Sequence, residues 1–145
     1  MIFRKNIRQF PMLLSLNVNW TNVFIYEVFV TMHFQMGIIN FNDDKLDEAA
    51  SWFHRAIDIS PNHTMSIKSL GTVYTKQASI GLHGNQSYAN AILWSERYLA
   101  LAPRDVDFIM ELVTVYFRLG DSFENAMRWL DVAIAVGLFY QYDWR

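Results

Sequence analysis

The side chains that usually carry chemistry are sparse and poorly spaced in this 145-residue chain. It has no cysteine, which removes disulfides, thiolate metal sites and cysteine nucleophiles together. The four histidines, His33, His54, His63 and His83, include no pair four residues apart, the spacing by which a helix presents two imidazoles to zinc. They read as packing or surface residues. Asp43, Asp44, Asp47 and Glu48 cluster, but without the spacing and central glycine of a calcium loop. They suit the start of a helix, where acids complement the dipole. Gly81 and Gly84 lack the Lys-Ser/Thr of a phosphate loop, and no Gly-x-Ser-x-Gly elbow is present. Asn19, Asn62 and Asn85 head glycosylation triplets, which matter only in a glycosylating compartment. The chain is therefore expected to be no enzyme and to use no metal or cofactor.

Composition narrows the remaining classes. Hydrophobic residues make up 52% and charged residues 18%, too apolar for disorder and short of the ~25% charge of an average soluble chain. A net charge of −2 offers no general field for nucleic acid. Arg4, Lys5 and Arg8 precede the first acid, Glu27, so residues 1–20 read as a basic arm before a helical domain over 21–145. Arm and apolar run Phe10–Leu16 resemble a secretory signal only faintly, because Pro11 interrupts the run and no small-residue cleavage site follows. Val23–Ile39 contains Glu27, Thr31, His33 and Gln35, which reads as too polar to span a bilayer. No membrane segment and a cytoplasmic location are expected.

Helical periodicity supplies the elements. Phe24, Val28, Met32, Met36 and Ile39 recur at three- and four-residue steps in a first helix over 21–42. A second helix, capped by Asp43 or Asp44, stops at Ser60-Pro61-Asn62. A third covers 64–80, a fourth runs from Tyr88 to Leu101 before Pro103, and a fifth from Val106 to Leu119 with Gly120 as terminator. Asp121 and Glu124 resemble a capping box for a sixth, ending at Gly137. No alternating strand pattern or hairpin turn appears. The fold class is all-α.

The segments repeat. Ile67-x-x-Leu70-Gly71-x-x-Tyr74 has Met36-Gly37 lying 34 residues before its Leu-Gly, and Ile109-x-x-Leu112-Val113-x-x-Tyr116 after it. Ala49-x-x-x-Phe53-x-x-Ala56 with Pro61 is matched by Ala91-x-x-x-Ser95-x-x-Tyr98 with Pro103, then by Ala126-x-x-x-Leu130-x-x-Ala133. This pattern resembles the tetratricopeptide repeat family, whose unit is a helix–turn–helix of 34 residues. The resemblance implies three repeats, at about 30–63, 64–105 and 106–138, stacked as antiparallel helix pairs into a right-handed superhelix. In such packing Gly37 and Gly71 admit close helix approach while Phe53, Tyr74 and Tyr116 fill the space between repeats. Ser95 and Tyr98 invert the usual large-then-small order, and about eight extra residues separate Tyr74 from Ala91. Tyr26-Glu27-Val28-Phe29 and Ala126-Met127-Arg128-Trp129-Leu130 further resemble repeat segments of bacterial nucleotide cyclases, winged-helix activators and serine/threonine kinases.

The resemblance implies a concave face lined by the first helix of each repeat. Taking positions opposite the packing stripe, that face would carry Phe34, Ile38 and Phe41, then Lys68, Thr72, Thr75 and Lys76, then Met110, Thr114, Phe117 and Arg118. Two apolar walls around a hydroxyl-and-lysine middle suit a peptide with apolar anchors and an acidic centre. Ile38 and Thr72 stand where chaperone-tail binders of the family carry polar amides, which disfavours that activity. The expected function is protein or peptide binding as an adaptor. Alternatives are a regulatory segment of a larger bacterial signalling protein and a homo-oligomer. Charge reversal at Lys68 and Lys76 is expected to weaken binding while changing stability by less than about 0.5 kcal/mol.

Overall fold

The computed structural model describes residues 20–120 and 123–142, with side chains over 23–120 and 123–137. The basic arm therefore lies outside the described residues except for Trp20, as do Asp121 of the expected capping box and the side chains of Phe139, Tyr140 and Trp144. The described residues form six helices and no strand: α1 (Trp20–Asn42), α2 (Leu46–Ile59), α3 (Thr64–Ser79), α4 (Asn85–Leu101), α5 (Val106–Leu119) and α6 (Phe123–Tyr142).

Contacts follow chain order. The pairs α1–α2, α3–α4 and α5–α6 pack most extensively, α2 meets α3 and α4 meets α5, and α1 also touches α3. Adjacent pairs packed in this way are what a helical repeat produces, because each pair must bury its second face on a neighbour. The core runs through the stack: Phe53, Ile67, Leu70, Val73, Ile109, Leu112 and Val115 are fully buried. Two glycines set the closest approaches. A Cβ at Gly37 would collide with the Phe53 ring, and one at Gly71 would lie 2.9 Å from the Phe108 ring and 3.0 Å from Ser95 Oγ.

Helix ends are built by local hydrogen bonds, and here the structure revises three expectations. Asp43 and Asp44 do not cap α2, whose first residue is preceded by Lys45 without a side-chain cap. Asp44 instead adopts φ 59° and closes α1: Lys45 N–H donates to Asn40 O at 2.9 Å and Asp44 N–H to Phe41 O at 3.2 Å. This is the Schellman pattern, and aspartate is among the few side chains that tolerate the left-handed position. Gly81 at φ 74° closes α3 in the same manner. α4 starts at Asn85, three residues before the expected Tyr88. α6 continues past Gly137, because a glycine ends a helix only in the left-handed conformation, which Gly137 does not adopt. Gly120, at φ 79°, does terminate α5.

α1 has two apolar sides. The periodic stripe that marks it as a helix points outward: Phe24, Val28, Met32, Met36 and Ile39 are all exposed. The helix seats the opposite side, Val30, Phe34, Gly37, Ile38 and Phe41, on the core. With 23 residues against 14 in α2, α1 is longer by about 13 Å at 1.5 Å per residue, and Val23–Phe29 is exposed all round. By length and composition Val23–Asn42 is also apolar enough to cross a membrane, contrary to the expectation drawn from its few polar residues. Its C-terminal half, however, is the part seated against Phe53.

Candidate binding groove

A cavity of about 190 Å³ opens between the first three helices. α1 supplies Ile38 and Phe41, α2 supplies Phe53, and α3 supplies Lys68, Ser69 and Thr72. Helical spacing explains the grouping. Residues 38 and 41 lie on one face of α1, and 68, 69 and 72 share one face of α3. The floor is apolar and aromatic; hydroxyls and one ammonium stand at its edge.

That ammonium is held in place. Lys68 Nζ donates to Asp105 Oδ2 at 2.6 Å and lies over the Tyr98 and Phe108 rings, 5.1 and 5.3 Å from their centroids. Tyr98 Oη donates to the same carboxylate at 2.7 Å, and Asp105 Oδ1 accepts from Phe108 N–H at 3.1 Å, capping α5. Burial pushes the Asp105 carboxyl up. The hydrogen bonds from Lys68, Tyr98 and Phe108 together outweigh that and hold it below the usual carboxylate range. The Asp105 hydrogen bond likewise raises Lys68. Nearby Glu111 is pushed up by burial, with Lys68 opposing.

The structure brings four of the expected site residues, Ile38, Phe41, Lys68 and Thr72, onto this one cavity. Phe34 sits behind it, 5.7 Å from the Phe53 ring and edge-on to His63 at 5.5 Å. Thr75 is half-buried, and its hydroxyl is buried without a partner among the described residues. Lys76 lies over Phe41, 4.9 Å from the centroid, and donates to Asp44 at 2.5 Å. The α5 group stands apart from the cavity. Met110 and Arg118 are exposed, Thr114 Oγ1 donates to Met110 O at 3.0 Å, and Phe117 packs edge-on against Phe123 of α6 at 5.6 Å.

Both lysines of the expected basic middle are thus already paired within the chain. An acidic ligand at Lys68 would have to displace Asp105, whereas the pair of Lys76 with the 76% exposed Asp44 is screened by solvent and yields more readily. Reversing Lys68 would moreover set two carboxylates together at the α5 cap, so the expected neutrality in stability does not hold for Lys68. Sequence reasoning missed Ser69 as a lining residue, assigned Phe53 to packing alone, and overlooked Asp105, although its place just after Pro103 and before an apolar run is a capping signal.

Two of the histidines make contacts that hold helices together or cap them. His63 Nδ1 accepts from Ser66 N–H at 3.3 Å and bonds Ser66 Oγ at 2.7 Å, capping α3. His54 Nε2 bonds Tyr74 Oη at 2.9 Å and sits edge-on to Trp94. Burial lowers the pKa of both. Among the described residues no three His, Cys, Asp or Glu side chains converge as a metal site. No family profile matches the chain, and no curated protein is similar to it in sequence.

Proposed function

We propose that this chain is a non-catalytic protein-interaction module. Its three helix pairs are read as tetratricopeptide-like repeats in a right-handed superhelix, whose concave face takes a peptide or protein segment. The observation that carries this reading is the cavity floored by Ile38, Phe41 and Phe53 and edged by Ser69, Thr72 and Lys68. An apolar floor with a few convergent polar groups is the usual form of a recognition pocket. At about 190 Å³ the cavity fits one medium or large apolar side chain, an anchor on an extended or helical segment. Because Lys68 is neutralised by Asp105, the segment is recognised through that anchor and hydrogen bonds at Ser69 and Thr72 more than through acidity.

Selection from a displayed random-peptide library tests this. The wild-type chain is expected to enrich sequences sharing one large apolar residue. Thr72→Trp, which fills the cavity from its half-exposed edge, is expected to lose them with little change in helix content. Enrichment of the same peptides by both proteins, or of none by the wild type, would refute the proposal.

A further inference from the structure

Beside Phe24 the exposed side of α1 also carries Ile25, and with it the outward apolar positions form a symmetric set. Ile25, Val28, Met32, Met36 and Ile39 are separated by steps of three, four, four and three residues, so the pattern reads alike in both directions about Met32. All five are exposed, at 44, 40, 56, 40 and 53%. At about 100° per residue they fall within a band roughly 80° wide along one side of the helix. Glu27, the only Asp, Glu, Lys or Arg in α1, lies about 140° around the helix from Met32. The stripe therefore offers nothing to a charged partner and nothing that would repel a copy of itself.

We infer that α1 is a homodimer interface, in which a second copy of this chain lays its own α1 antiparallel along the stripe, with the two-fold axis at Met32. In that arrangement Met32 meets Met32 of the other copy, Val28 meets Met36, and Ile25 meets Ile39. Each contact i–j recurs as j–i, as an isologous interface requires. The Val–Met pairing sets a small side chain against a long flexible one, and methionine at the axis adapts to its twin. With flanking Phe29 the stripe exposes roughly 600 Å² per copy, so pairing covers at most about 1,200 Å², at the lower bound for a specific, stable interface. It would cover apolar surface that the helix pairs leave open, and it lies on the opposite side of α1 from the cavity. Dimer formation and peptide binding can thus fail independently.

The experiment joins light scattering of the full chain to thiol crosslinking, for which the absence of native cysteine gives a clean background. The wild type is expected to be dimeric at micromolar concentration. Met32→Glu, at an exposed position, would set two carboxylates on the axis and is expected to weaken dimerisation at least about 100-fold with unchanged helix content. Met32→Cys is expected to crosslink to itself. Ile39→Cys is expected not to, because the two copies of that residue lie about 20 Å apart along the axis, but to crosslink when mixed with Ile25→Cys. A wild-type monomer at all concentrations overturns the inference. So does a dimer that survives Met32→Glu, or self-crosslinking as efficient at 39 as at 32, which indicates parallel pairing. A monomer whose Met32→Cys thiol resists modification would mean that residues 1–19 cover the stripe. A monomer that binds phospholipid vesicles until Met32→Glu is introduced would mean a lipid surface does. Either result also overturns it.

Discussion

Asp105 joins three functions in one carboxylate, and removing it has a cost that can be worked from its contacts. Asp105→Ala deletes the N-cap of α5, worth about 1 kcal/mol. It leaves Tyr98, a buried residue whose hydroxyl donates to this carboxylate, without its acceptor, at about 1 kcal/mol more. It also frees Lys68 from its ion pair. The side chains of Lys68 and Asp105 are 37% and 22% exposed, so solvent screening limits that term to about 0.5 kcal/mol. Together these predict a loss of about 2–3 kcal/mol, read as a lowered midpoint in urea denaturation followed by circular dichroism. Asp105→Asn separates the parts. Asparagine has one acceptor oxygen; with it at the capping Oδ1 position, its NH2 takes the place of Oδ2. The cap is kept while Lys68 and Tyr98 lose their acceptor, and the cost is about 1.5 kcal/mol. A double-mutant cycle of Asp105→Asn with Lys68→Met is expected to return the ionic part alone, about 0.5 kcal/mol. If Asp105→Asn costs as much as Asp105→Ala, the cap contributes nothing and the reasoning fails. If Asp105→Ala costs less than about 1 kcal/mol, the three-way contact contributes little and fails with it.

Three further predictions are independent of the first. Gly37→Ala drives a methyl into the Phe53 ring and is expected to cost about 1–3 kcal/mol by denaturation, whereas Phe53→Leu in the same background should recover part of the loss. Gly137→Ala adds a methyl inside α6 where nothing lies within 4 Å; it is expected to stabilise by about 0.5–1 kcal/mol, seen as a raised melting temperature. Stability is expected to fall with pH, because His54 and His63 have folded pKa values below their ordinary 6.5. Their contribution is complete above 6.5 and is lost as pH drops from there through the folded values, since the unfolded chain takes up protons first. Protonation also removes the Nδ1 acceptor that caps α3. His63→Asn keeps a cap that cannot titrate, so it should flatten this slope between pH 7 and 5. An unchanged slope would contradict the assignment, and the comparison is unaffected by Glu111, whose raised pKa acts in the opposite sense.

Much of the fold was legible because helix boundaries are marked by local chemistry. Gly120 announces the end of α5, and Pro61 and Pro103 follow the ends of α2 and α4, since each constrains the backbone wherever it stands. Asp43-Asp44 misled because an aspartate between two helices serves equally as the cap of the second or the left-handed terminator of the first. Only the bonds from Lys45 to Asn40 and from Asp44 to Phe41 distinguish the two. The groove was legible in part. Ile38, Phe41, Lys68 and Thr72 share a cavity as their faces required, while the α5 residues do not join them, because a face on one helix carries no information about its distance from another. The ion pair of Lys68 with Asp105 spans 37 residues, and spacing along the chain has no bearing on such a contact.

Sequence alone determined that this chain is helical, where most of its helices begin and end, and that it lacks the residues for thiolate chemistry. These follow from backbone preferences and residue types, which act over a few positions. Tertiary structure decided which side of α1 is buried. Both sides of that helix are apolar, so periodicity could not choose between them; the absence of a side chain at Gly37 did, by admitting the Phe53 ring. The face with the more regular stripe was thereby left in solvent. Tertiary structure also decided that both candidate binding lysines are already paired with aspartates. Each meets its partner aspartate only once the helix pairs have stacked.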